Sequence, residues 1–79
     1  MKELRETLKR FKFTVIDTDE DELWQGCADD RNFAVYVRIT NDDITIAKMP
    51  LDHEFPAVTV HYNRYDPTCL LIIERWACH

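Results

Sequence analysis

The chain has 79 residues, 46% of them hydrophobic, and a formal net charge of −5. That length allows one domain, hiding about 60% of the extended surface on folding, and one Gly and three Pro argue against disorder or low complexity. The apolar run Cys69 to Ile73, which no other run exceeds, falls far short of the roughly 20 residues of a membrane span, so no membrane partner is expected. A charged segment stands where a signal peptide would, and the expected location is cytoplasmic.

Met1, Leu4, Leu8 and Phe11 recur at helical spacing among Lys, Arg and Glu, so the first dozen residues are predicted to form an amphipathic helix docked by one stripe. Glu3 lies near its positive end and Lys9 and Arg10 near its negative end, as the helix dipole favours. No Gly follows to cap it, so the helix should pass directly into a strand. Phe11 to Ile16 is β-branched and aromatic, with Phe13 and Val15 alternating against Lys12 and Thr14, and is predicted as that strand. The acidic stretch Asp17 to Glu22 turns the chain into a second strand, Leu23 to Ala28. There Gly26, the sole glycine, marks a bulge or a place where another group approaches closely.

Phe33 to Lys48 contains the plainest pattern. Phe33, Val35, Val37 and Ile39 share one face, Asn41-Asp42 forms a two-residue loop, and Ile44 and Ile46 return. Thr40 then faces Asp43, Ile39 meets Ile44 and Val37 meets Ile46. Pro50 and Pro56 bracket a loop whose Leu51 and Phe55 are expected to pin it to the core. Val58, Val60 and Tyr62 alternate with Thr59 and His61 in a further strand. After a turn at Tyr65 to Thr68, the apolar segment Cys69 to Trp76 is predicted as a buried strand. The expected fold is therefore a single α+β domain over residues 1–79, with one N-terminal helix packed on an antiparallel five- or six-stranded sheet, a meander plus a C-terminal hairpin. Its core should comprise Leu4, Leu8, Phe11, Phe13, Val15, Leu23, Val35, Val37, Ile39, Ile44, Ile46, Val58, Val60, Leu71 and Ile73.

Charge is segregated along the chain. Residues 1–12 carry Lys2, Arg5, Lys9, Arg10 and Lys12 against Glu3 and Glu6, whereas residues 17–30 carry Asp17, Asp19, Glu20, Asp21, Glu22, Asp29 and Asp30 with no basic residue. Such carboxylates attract basic proteins or cations and oppose direct nucleic-acid binding. The plainer account is a set of solvated turns. Strand two separates the two acidic turns, which places Asp17 to Glu22 and Asp29 to Asp30 at opposite ends of it.

Asp17-Thr18-Asp19-Glu20-Asp21 opens like a calcium loop. Glu22 stands where that loop needs Gly and Ala28 where it needs the closing Glu, so the match fails. Cys27, Cys69, Cys78, His53, His61 and His79 are zinc-ligand types, and Cys78-His79 could close on His61, yet no pair has the short spacing of recognisable zinc motifs. An odd number of cysteines without a CxxC makes reduced thiols the default. Asp52-His53 with a cysteine is a weak base and nucleophile pair, since sequence neighbours rarely face one another. Tyr36, Arg38, His61, Arg64, Tyr65 and Arg75 could form a stacking or interface surface, and the negative net charge favours protein over nucleic acid.

The layout, one N-terminal helix followed by an acid-rich meander without a catalytic motif, resembles small phage or mobile-element proteins that inhibit host machinery, including some anti-CRISPR proteins. It also resembles the first half of a secretion-chaperone-type fold, although the second helix of that fold has no predicted counterpart. The resemblance implies an inhibitor and supplies no site residues. The expectation is a non-enzymatic binding protein without cofactor or metal that occupies a basic surface of a larger protein through Asp17, Asp19, Glu20, Asp21, Glu22, Asp29 and Asp30. A small homo-oligomeric accessory protein, a homodimer for example, and a Cys/His metal module are the alternatives.

Overall fold

The computed structural model describes residues 2–78. Helix α1 (Lys2–Arg10) leads into strands β1 (Thr14–Asp17), β2 (Glu22–Cys27), β3 (Phe33–Ile39), β4 (Asp43–Pro50) and β5 (Val58–Asn63), and helix α2 (Thr68–Trp76) follows. The strands form an antiparallel meander in the order β1-β2-β3-β4-β5. The expected α+β class and five-stranded sheet are therefore observed. Among the described residues no helix is long and apolar enough to cross a membrane.

The β3–β4 hairpin has the register its alternation dictates, Ile39 opposite Ile44 and Val37 opposite Ile46. Thr40 N–H donates to the Asp43 carbonyl at 2.9 Å, and Thr40 Oγ1 accepts from the backbone N–H groups of Asp42 and Asp43. Across the sheet, Trp24, Val37, Ile46 and Val60 form one row on the inner face, and Ile39, Ile44 and Tyr62 form the next. Leu4 and Leu8 of α1 and Cys69 and Ile73 of α2 complete this core from above. Each fully buried aliphatic side chain there contributes about 1.5–3 kcal/mol of transfer free energy. Met1, predicted to join the helical stripe, lies outside the described residues.

Helix α1 ends without glycine. Lys12 takes the left-handed conformation, φ 64°. Its N–H then donates to the Lys9 carbonyl, and Phe13 N–H donates to the Leu8 carbonyl at 2.9 Å. These bonds form a Schellman cap, sealed by the apolar pair at its ends, Leu8 and Phe13; both are buried. The strand therefore starts at Thr14, later than Phe11. Phe13 lies across Gly26, where an added Cβ would sit 2.7 Å from three ring carbons. Gly26 thus marks the close approach that its solitary placement suggested, and the bulge falls in β1, between Val15 and Asp17.

The C-terminal segment corrects the expected hairpin. Cys69 to Trp76 lies in α2, and no sixth strand exists among the described residues. Pro67 adopts helical angles at the N-cap, φ −68° and ψ −11°, and Asp66 Oδ1 accepts the Thr68 N–H at 2.9 Å. Together they start a helix where a turn was expected. Cys69, Ile73 and Ala77 recur every four residues and are buried, while Leu71, predicted in the core, is 65% exposed. Val15 and Val58 also prove exposed, both on strands at the sheet's edges.

Leu23 lies on the opposite face, paired with Arg38, and Trp24 takes the inward place. The β4–β5 loop is not pinned by its side chains. Leu51 and Phe55 are exposed, Phe55 by 78%, and main-chain bonds from Leu51 N–H to Asn32 and from Ala57 N–H to Lys48 hold the loop.

Candidate functional site

Antiparallel topology fixes which turns share an end. The β1–β2 turn, the β3–β4 turn and the β5–α2 connection all leave the same end of the sheet, while the β2–β3 turn leaves the other. Asp17, Asp19, Glu20 and Asp21 project at the first end. Asp42 and Asp43 join them there, a grouping the sequence reading did not make. Asp29 and Asp30 lie at the far end, as strand two requires. The signal for Asp42 and Asp43 was available: counting turns along a meander assigns each one to an end.

Of the seven predicted partner-binding residues, Glu22 is committed internally. Arg5 from α1 grips it in a fork, Nε to Oε1 at 3.1 Å and Nη2 to Oε2 at 2.7 Å. Trp24 Nε1 donates to Oε1 at 2.6 Å. The hydrogen bonds from Arg5, aided by Trp24 and by the charges of Arg5 and Arg64, hold the Glu22 carboxyl below the usual carboxylate range despite its partial burial. Glu22 is thereby a structural anchor that ties α1 to β2.

The remaining carboxylates surround this anchor. Glu20, Asp21, Glu22, Arg5 and Arg64 line an open hollow of about 260 Å³. Asp17, Asp19, Glu20, Asp21 and Arg38 border a second hollow on the adjoining surface. Asp19 N–H donates to Asp17 Oδ1 at 3.0 Å, fixing the turn that presents them. Arg64 is directed inward: Nη1 donates to the Thr40 carbonyl at 3.3 Å, and its Nε is buried with no hydrogen-bond partner among the described residues. Asp17, Asp19, Glu20, Asp21, Asp42 and Asp43 thus remain outside the Arg5–Glu22 pair, and the exposed Arg38 borders the first four.

The far end is different in kind. Lys48 Nζ lies 3.9 Å from Asp29 Oδ1 and 5.2 Å from the centre of the Phe33 ring. Asp30 Oδ1 accepts the Asn32 N–H and so serves the turn. Arg10, Lys12 and Arg31 line hollows at this end together with Cys27 and Cys78. The seven residues do not form one patch.

The residues weighed for other chemistry are dispersed. His61 pairs with Thr45 across strands, Nδ1 to Oγ1 at 3.0 Å, and His53 lies in the exposed β4–β5 loop with Asp52. Cys69 is buried, and burial pushes its thiol up from the usual range. His79, proposed to close a metal site with Cys78 and His61, lies outside the described residues. Among the described residues no three His, Cys, Asp or Glu side chains gather as a metal-binding set. Tyr36 and Arg38 face the uncovered side of the sheet, in rows with Ala47 and Thr45 respectively, whereas Arg64 is withdrawn from that surface by its bond to Thr40. Neither a family model, a characterised protein nor a solved structure matches the chain.

Proposed function

We propose that the protein is a non-enzymatic binding module that places the β1–β2 end of its sheet against a basic surface of a larger protein. The supporting observation is the distribution of charge at that end: Asp17, Asp19, Glu20 and Asp21 lie at the same end of the sheet as Asp42 and Asp43, Arg5 is occupied by Glu22 and Arg64 by Thr40, and Arg38 is one exposed cation against these carboxylates. Carboxylates presented in this way steer association and set orientation, and their effect weakens as salt screens them. Glu22 contributes rigidity to the surface, and Asp29 and Asp30 stand outside it. The resemblance in size and layout to small phage or mobile-element inhibitors extends the proposal: the partner is a component of host machinery whose cationic surface is blocked by occupation.

The uncovered sheet face, bearing Leu23, Tyr36 and Met49, favours a second reading, a self-associating accessory protein. One comparison separates the two. Immobilised wild-type protein and the doubly reversed Asp19→Lys/Asp21→Lys variant are exposed to native host lysate at low and high salt, and both are weighed by sedimentation. The binding module predicts captured proteins that elute with salt and are lost on reversal, from a monomer. Equal capture by the reversed variant overturns it, and a dimer that survives reversal supports the second reading.

A further inference from the structure

We infer that Cys27 and Cys78 form a reversible dithiol modification site, which takes an anionic low-molecular-weight disulfide of the oxidised-glutathione class as its oxidant. After α2 the chain runs antiparallel to the end of β2, with Ala77 bridged to Ala28. Cys78 N–H donates to the Cys27 carbonyl at 3.0 Å, and Asp29 N–H donates to the Trp76 carbonyl at 3.0 Å. This register sets Cys78 directly opposite Cys27, and directly opposed residues in an antiparallel pair project to the same side. Cys27 and Cys78 occupy a hydrogen-bonded position of this pairing, where the Cα separation, about 5.5 Å, falls inside the about 4.4–6.8 Å that a disulfide spans.

Both thiols are free and exposed, whereas Cys69 is free and buried. Both line the same two hollows, in which the flanking cations are Arg10, Lys12 and Arg31. That positive border favours an oxidant carrying carboxylates. In the first step one cysteine thiolate attacks a sulfur of the small disulfide, forming a mixed disulfide and releasing one small thiolate. In the second, the facing cysteine's thiolate attacks the protein sulfur of that mixed disulfide, forming the Cys27–Cys78 bond and expelling the other small thiolate. Two electrons pass to the small disulfide, and the two protons lost by the protein end on the two released thiols. The product fastens the segment after α2 to β2, and excess small thiol reverses it.

The test is to incubate the full chain with oxidised glutathione, quench with acid and map the peptides. The expected result is a Cys27–Cys78 linked peptide, a fall in free thiols from the three of the reduced protein to Cys69 alone, and reversal by reduced glutathione. Cys27→Ser should leave Cys78 trapped as a lasting mixed disulfide. Lys12→Gln with Arg31→Gln should slow oxidation by the anionic probe roughly severalfold while leaving oxidation by neutral hydroxyethyl disulfide unchanged. Wild-type protein that accumulates glutathione on both cysteines without linking them, or that links only between molecules, overturns the site. Equal slowing with both probes overturns the choice of oxidant.

Discussion

The two ends of β2 carry acidic turns that look alike in the sequence and behave differently in space. At the Glu22 end, the carboxylates of two turns leave the sheet on the same side, Arg5 forks onto Glu22, and Arg38 borders the hollow that holds Asp17, Asp19, Glu20 and Asp21. At the Cys27 end, Asp29 has Lys48 near it and Asp30 closes its own turn, among Arg10, Lys12 and Arg31. The contrast shows that a charge run becomes a surface only through topology. An even number of strands returns turns to one end, and what else returns there decides whether the charge accumulates or is balanced.

The contrast depends on β2 as a fixed spacer, so the largest expected effect comes from disturbing that strand. Phe13 occupies the space a side chain at Gly26 would need, and the ring is itself buried. Gly26→Ala should therefore cost about 1–3 kcal/mol through overpacking, read as a lowered midpoint in urea unfolding. Stability equal to wild type would mean that the ring moves aside freely and that the separation of the two ends is not rigidly held.

The next effect isolates the one carboxylate at the acidic end that serves the fold. Glu22→Gln removes the ionic part of a bidentate pair whose side chains are 39% exposed at Arg5 and 22% at Glu22. Solvent screening holds the expected loss to about 1 kcal/mol near neutral pH. The folded Glu22 carboxyl titrates below its ordinary 4.5. Its contribution is therefore complete above that value and drains away as pH falls through the lowered folded value. The gap between wild type and Glu22→Gln in urea midpoint should thus close on acidification. A gap that persists in acid would assign the effect to lost packing.

What was legible follows from how sharply each pattern is penalised when misread. In the β3–β4 hairpin a slip of one residue would turn Val35, Val37, Ile39, Ile44 and Ile46 outward together, so alternation dictates register. The segment Cys69 to Trp76 is apolar nearly throughout and carries no period of two or of 3.6 strong enough to choose between strand and helix. The deciding information lay just upstream, in Asp66-Pro67-Thr68, a helix start that also reads as a turn.

The same limit governed the acidic site. Its exposed carboxylates were visible as a run, but the role of Glu22 depends on Arg5, seventeen residues away on another element. The proximity of Cys27 and Cys78 depends on α2 being a helix that returns the chain to β2, so it could not be seen while that segment was read as a strand.

The smallest expected effects are the most discriminating, because they differ in sign. Asp21 lies among Asp17, Asp19 and Glu20, three carboxylates against the single guanidinium of Arg38 in the same hollow, so Asp21→Asn relieves net like-charge repulsion and should raise stability slightly at low ionic strength. Asp29 has a cation within 3.9 Å, so Asp29→Asn gives up a weak attraction and should lower it slightly. Each change is expected to stay below about 0.5 kcal/mol. Both should shrink toward zero as added salt shortens the range of surface charges to a few ångströms. Matched urea titrations of the two variants at low and high salt read the difference directly. Effects of the same sign would mean that the two turns share one electrostatic environment, and the asymmetry on which the proposed binding surface rests would be gone.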